Sequence, residues 1–389
     1  MFSKILIGLI ALIPLMATAA PLEVISIYNE GKIGDQSQVK GIKESLNKKF
    51  GGNIDVVEFN DTQLEEIRSY LKDNPKYKII VASGEPGIKL YDSLKGSIDP
   101  KNTLATYSSH MAVKDYEKIL GTVKLWALPK HVVNAKFNIL DKSNSLKGTK
   151  IVPVVGVPHN VTQDELKAEY AKYKDHFKNV KGDFVVIILG GDAPDENGKM
   201  QYYHNSEAMK LANVISTFAN HKNLSVLVFN GPRTGLHDDN GKIDKEAHRT
   251  KLDHVTNKFQ EIITQNVPSD RLFIYDFKHG EPSLYKAGLG FALEKHAEVF
   301  VPGESTSMIS EAVDNLSADE VIIVSNDAMN KMHEAHVRSV LDSGQAKLYN
   351  YSDKDIDRKS HKPNNNHVTA ADVFAGEIYK EVNKTFKIK

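Results

Sequence analysis

The chain has 389 residues, 41% hydrophobic and 26% charged, with 50 basic and 50 acidic side chains. At roughly 150 residues per domain the length suits two buried cores, and the zero net charge excludes a general nucleic-acid binder, which needs a basic face. Cysteine is absent, which excludes disulfides, thiolate metal sites and cysteine nucleophiles, and arginine is so scarce that an anion site must lean on lysine, backbone N–H groups and helix N-termini.

Met1–Ala20 reads as a secretory leader. Lys4 supplies the positive start, Ile5–Met16 an apolar run, and Ala17-Thr18-Ala19 a small-residue cleavage site, with the cut expected after Ala19. The run is shorter than the roughly 20 residues of a spanning helix. A periplasmic or secreted protein with no stable membrane span after cleavage is therefore expected.

Strands and helices then alternate. Strands are expected at Leu22–Tyr28, Ile54–Phe59, Tyr77–Ser83, Thr103–Tyr107, Thr122–Leu128, Val132–Leu140 and Ile151–Val157. Helices are expected near Gln36–Phe50, at Thr62–Leu71 with Thr62 and Glu65 as a capping box, near Pro86–Leu94, and from Gln163 to about His176. After a polar connector at Asn179–Asp183 the alternation restarts with Phe184–Leu189. Strands at Leu224–Phe229, Arg271–Tyr275, Ala297–Val301 and Glu320–Val324 follow. The helices between them are expected at Ser206–Asn220, Asp244–Gln265, Ser283–His296, Ser305–Asp314 and Ala328–Ser343. Lys359–Asn366 reads as a polar linker, and Thr369 caps a last amphipathic helix with Val373, Ile378, Val382 and Phe386 on its apolar stripe. Such alternation implies parallel sheets. The expected fold is α/β, with two Rossmann-like doubly wound domains facing across a cleft. The expected divisions are a leader over 1–19, domains over 20–180 and 181–358, and a linker with a final helix over 359–389.

Ligands of such sheets sit beyond the carboxyl ends of the strands, so the loops there are the candidates for chemistry. Gly31, Gly34 and Asp35 lie in the first, where Asp35 either caps the helix or meets a ligand. Gly190-Gly191-Asp192 follows the most apolar strand and suits close backbone approach or an ordinary turn. Arg233 stands in Asn230–Gly235, where a phosphate could be met bidentately. Ser305, Thr306 and Ser307 open a helix as caps or ligand donors, and Glu311 beyond them could accept from both hydroxyls of a ribose. His333-Glu334-x-His336 puts two imidazoles on one helix but lacks metalloprotease spacing, and no metal or cofactor is expected. Two architectures fit an exported chain of this kind, a solute-binding protein and the two-domain GT-B glycosyltransferase arrangement.

Several of these segments, in order over roughly residues 24–315, resemble the mitochondrial fission ELM1 family, which has a GT-B-like fold. They are Gly31–Gln36, Val154–Thr162 (VVGVPHNVT), Leu189-Gly190-Gly191, Arg233-Thr234 and Ser305-x-Ser307-Met308-x-Ser310-Glu311-Ala312. The chain departs from the family pattern at Asp192, where proline is usual, and lacks Gly-Lys-Pro within Asp314–Glu320. The resemblance implies a nucleotide-sugar on the second domain, with phosphates near Gly190, Gly191, Arg233 and Ser305–Ser307 and the ribose at Glu311. The final helix would cross back to the first domain. An acceptor would face Gly31–Gln36, Ser83–Glu85 and Ser108–His110, with Asp35 or His110 as the base of a metal-independent transfer. The rival readings are a catalytically silent relative that binds a protein partner, and a solute-binding protein.

Overall fold

Most parallel returns among the described residues are carried by a helix, which covers both faces of each sheet and suits the apolar runs of its central strands. The computed structural model describes residues 22–29, 31–112, 114–136, 145–195, 199–350 and 368–387. The expected leader, its cleavage site and the linker at Lys359–Asn366 lie outside the described residues. Among those residues the first sheet has seven strands, β1 (Leu22–Tyr28), β2 (Asp55–Asn60), β3 (Tyr77–Ser83), β4 (Thr103–Ser108), β5 (Leu125–Pro129), β6 (Ser145–Leu146) and β7 (Thr149–Val154). Their order is β2-β1-β3-β4-β5-β7-β6, and only β6 runs antiparallel to its neighbour. Helices α1 (Ile33–Lys49), α2 (Leu64–Asp73), α3 (Gly84–Leu94) and α4 (Lys130–Lys136) connect them.

The second sheet holds β8 (Phe184–Ile188), β11 (Ser225–Phe229), β12 (Leu272–Tyr275), β13 (Val299–Pro302), β14 (Val321–Val324) and β15 (Lys347–Tyr349). Its order is β12-β11-β8-β13-β14-β15, all parallel, and β9 (Ala193–Pro194) and β10 (Met200–Gln201) form a separate small hairpin. The remaining helices are α5 (Gln163–Tyr173), α6 (Asn205–Lys222), α7 (His254–Ile263), α8 (Tyr285–Lys295), α9 (Thr306–Asn315), α10 (Lys331–Asp342) and α11 (Ala370–Phe386). None of the described helices is long and apolar enough to cross a membrane.

Alternate strand residues feed opposite layers, as a period of two requires. Val24, Ile79 and Val81 meet Val39, Ile42 and Leu46 of α1, while Ile25, Ile27 and Ile80 meet Ile67 of α2 and Tyr91 of α3. In the second sheet Val185, Ile187 and Val226 face α6 and α7, and Val186, Ile188 and Leu227 face α8 and α9.

Two helices cross between the domains. Leu166 of α5 and Phe177 just beyond it join the core of the second sheet, although both precede it in the chain. A Cβ on Gly290 of α8 would stand 2.1 Å from the Leu166 carbonyl oxygen, so the α5–α8 approach depends on that glycine. In return α11 packs Phe374, Ile378, Val382 and Phe386 on the first sheet, with Phe386 stacked on Tyr77 at 4.6 Å. Residue 180 therefore separates the two sheets, but packing passes to the second one earlier, with Val155 against its core and Val161 buried within it.

Four expectations change. Val132 and Val133 lie in helix α4, because parallel neighbours β5 and β7 need a crossover between them; the rest of that expected strand, 137–140, is outside the described residues. The helix expected over Asp244–Gln265 starts only at His254, where the Asp253 carboxylate accepts the Thr256 N–H. Thr62 does not cap α2; its N–H and hydroxyl both turn back to Asn60. Strand β15 and the β9–β10 hairpin were not expected.

Candidate functional site

Between the domains lies a cleft of about 760 Å³. Its first wall is the start of α1, from Lys32 to Lys40, with Gly84, Glu85 and His110; its floor is Val157–Val161; its second wall carries Arg233, Lys286, Glu304, Thr306, Ser307, Glu311 and His333. Six of the expected site residues thus share one cavity, namely Asp35, His110, Arg233, Thr306, Ser307 and Glu311. Gly190, Gly191 and Ser305 do not line it.

On the first wall, Asp35 sits in the opening turn of α1 and lies against Gly84. Gly84 has a φ of +66°, and a Cβ there would come within 2.0 Å of the Asp35 carboxylate, so the contact needs glycine. Burial raises the Asp35 pKa, with Lys32 opposing the rise and Glu85 adding to it. His110 follows β4. Desolvation by the cleft walls, then the charges of Lys32 and Arg233, lower its pKa and favour the neutral ring, which can accept a proton.

On the second wall, α9 begins at the cleft. Ser305 occupies its N-cap position but makes no side-chain cap bond, and its hydroxyl is buried without a partner. The first-turn N–H groups of a helix lack intrahelical acceptors and favour an anion. Glu311 stands farther along α9. Burial raises its pKa, and His159, Tyr285 and Lys286 act against that rise.

Gly190 and Gly191 lie behind this wall. A Cβ on Gly190 would meet the Tyr203 ring at 2.3 Å, and one on Gly191 would meet the Arg233 carbonyl carbon at 2.7 Å. The Gly191 N–H donates to Glu304 Oε1 (2.8 Å), and Asn326 donates to Oε2 (2.6 Å). Glu304 is 3% exposed and burial raises its pKa. It ties together the loops after β8, β13 and β14. Sequence reasoning passed over it, although a carboxylate beside Gly303 in a strand-to-helix loop is a readable signal.

The floor carries a second such residue, His159, which the sequence presents only within the Val154–Thr162 segment. His159 Nδ1 accepts the Val161 N–H (3.2 Å), which leaves the ring proton on Nε2, 2.9 Å from Asp314 Oδ2. Burial pulls the His159 pKa down, but Asp314 and then Glu311 outweigh it, and the result lies above the ordinary value.

The profile of the Mitochondrial fission ELM1 family matches residues 34–241, more than half of the chain. The chain belongs to this family. The matched stretch of the ELM1-family chain contains Asp35, His110, His159, Gly190, Gly191 and Arg233, and stops short of Thr306, Ser307 and Glu311, which line the cleft. No curated protein sequence matches it. Among solved structures, a candidate UDP-N-acetylglucosamine 2-epimerase from Listeria monocytogenes aligns at TM-score 0.51 and 11% identity, over 94% of this chain and 96% of the other. MurG from Acinetobacter baumannii aligns at 0.41 and 9%, over 94% and 100%; the S. aureus MnaA–UDP complex aligns at 0.44 and 10%, over 94% and 89%. At such identity these likenesses speak for fold alone. The ELM1-family chain has a GT-B-like fold of two Rossmann-like domains, with α11 returning to the first.

Proposed function

We propose that this protein binds a nucleoside-diphosphate sugar in the interdomain cleft and transfers the sugar to an acceptor held by the first domain. The observation that carries the reading is the pairing of walls. Arg233 and the start of α9 suit a diphosphate on one side, and Asp35 and His110 face them from the other. Glu311 would accept from the ribose hydroxyls. In the transfer, His110 or Asp35 takes the proton of the acceptor hydroxyl, its oxygen bonds to the anomeric carbon, and the bond from that carbon to the diphosphate oxygen breaks. The departing diphosphate keeps the electron pair and is stabilised by Arg233 and the α9 N-terminus, with no metal ion in the step.

The leader at Met1–Ala19 supports export to the periplasm or beyond, where lipid-linked sugar diphosphates are a second donor class. Calorimetry with uridine diphosphate, guanosine diphosphate and the free nucleosides tests the site. Glu311→Gln is expected to weaken nucleotide binding by about tenfold or more, and Arg233→Ala to weaken diphosphates more than nucleosides. A folded wild-type protein that binds no nucleotide overturns the transferase reading. Intact mass of exported material, expected to start at Ala20, tests the leader.

A further inference from the structure

Behind the loop that carries Arg233 lies a buried polar group that the cleft does not use. His248 and Asp253 stand in the loop that leads into α7 and Asp276 follows β12, and one ligand atom of each lies within 4.8 Å of the others. Among the described residues no other set of three or more His, Cys, Asp or Glu side chains converges this way. We propose that these three side chains hold one divalent transition-metal ion, with zinc as the best match, and that the ion fixes the Asn230–Gly235 loop.

His248 has no exposed surface. Its Nε2 lies 2.7 Å from the Thr234 carbonyl oxygen. A carbonyl can only accept, so Nε2 carries a proton, and in the neutral ring Nδ1 then carries a lone pair. That Nδ1 is buried, has no hydrogen-bond partner and lies 3.7 Å from Asp276 Oδ1. A lone pair facing a carboxylate away from water is unfavourable, and a cation between them removes the conflict. A ring N–H donated to a backbone carbonyl is also the usual way a metal-bound imidazole is oriented.

The carboxylates are positioned in the same way. Asn230 donates to Asp253 Oδ2 (2.8 Å) and to Asp276 Oδ1 (2.7 Å), and the Phe277 N–H fixes that amide by donating to its oxygen (2.6 Å). Thr256 donates its N–H and its hydroxyl to Asp253. Lys278 pairs with the outer oxygen of Asp276 (2.6 Å), and among the described residues Asp253 has no lysine or arginine partner. His248 also holds a φ of +60°, a conformation uncommon outside glycine and kept where surrounding contacts enforce it. One imidazole and two carboxylates favour zinc or manganese over calcium and magnesium, which prefer oxygen alone. The consequence reaches the cleft. His248 grips the carbonyl of Thr234, next to Arg233, and Gly235 packs so closely on Asp253 that a Cβ there would lie 2.5 Å from Oδ1.

The test uses the full chain, stripped with a chelator, then given stoichiometric zinc and passed through a desalting column. One retained zinc per chain and a raised Tm are expected. Asp276→Asn keeps an acceptor for Asn230 and removes the charge; His248→Gln removes the ring. Each should lose the retained zinc, with affinity down at least about tenfold, and each should lose the Tm rise. A wild-type chain that retains neither zinc nor manganese overturns the proposal, as does equal retention by both variants. Imidazole NMR of the wild type decides independently of how the variants fold. A zinc-dependent shift at His248 Nδ1 supports the site, and shifts confined to other histidines overturn it.

Discussion

Two histidine contacts join the domains across their seam, and burial acts on both in the same sense with opposite results. At the cleft floor His159 meets Asp314 of α9 at 2.9 Å, both side chains only 4% exposed. Away from the cleft His131 of α4 meets His336 of α10, with ring centroids 5.1 Å apart. There His131 Nδ1 and both His336 nitrogens are buried without partners. Desolvation pushes all three rings toward the neutral form, and only at His159 does a carboxylate overcome it. The groups acting on the other pair are themselves basic. His333 and His110 add to the lowering at His131, and His131 and His333 to that at His336. One side of the seam is thus built to hold a proton and the other to exclude one.

The largest effect expected from this difference is acid weakening at the His131–His336 contact. Burial lowers His131 to about 4 and His336 to about 3. A histidine in the unfolded chain titrates near 6.5. Below that value the unfolded state binds protons that the folded rings refuse, so stability is present above about 6.5 and falls as pH drops. Each ring costs about 1.4 kcal/mol per pH unit, or about 4 kcal/mol for the two between pH 7 and pH 5. Urea unfolding at both pH values measures it, with the double variant His131→Leu, His336→Leu as the comparison. The variant should lose much less than the wild type over that interval. Equal losses would show that these rings do not set the acid limb.

Removal of the carboxylate on the other side should cost less and carry the opposite pH dependence. With Asp314→Asn, His159 loses the partner that raises its pKa, at about 2 kcal/mol. Because the folded pKa is raised, that contribution is fully present below about 6.5 and fades as pH rises through the folded value. The gap between wild type and variant should therefore be wider at pH 6 than at pH 9. A gap of constant size would mean that the contact is a neutral hydrogen bond.

What sequence could and could not supply follows the same division between local and assembled features. Runs such as Phe184–Ile188 and Val321–Val324 were readable because a strand covered on both faces must be apolar along its whole length. Asp35, Arg233, Thr306, Ser307 and Glu311 were readable because strand-to-helix loops in such sheets converge on one crevice. Val132 and Val133 misled, since a β-branched pair marks a buried face without telling strand from helix. Gly190 and Gly191 stand in a readable loop, but what they accommodate is Tyr203 and Arg233 of their own domain. His131 and His336 come from helices of different domains, and His248 and Asp253 come from the loop before α7 while Asp276 follows β12. No spacing in the chain announces either group; only the packed sheets bring them together.

The smallest effect sharpens the comparison at its active end. Glu311 is the second charge acting on His159, behind Asp314, and it acts through space. Its own burial raises its pKa, so part of its influence is absent in acid. Glu311→Gln keeps the shape, lowers the cost of burying a charge, and withdraws the weaker of two attractions on His159. These changes oppose each other, and the net change in stability should stay within about 1 kcal/mol. Paired measurements of unfolding and nucleotide binding on this variant separate its two possible duties. Weaker binding with unchanged stability is expected if Glu311 faces a ligand and Asp314 alone secures the seam. A stability loss as large as that of Asp314→Asn would instead make Glu311 a structural partner of His159, and the seam would then rest on a carboxylate pair.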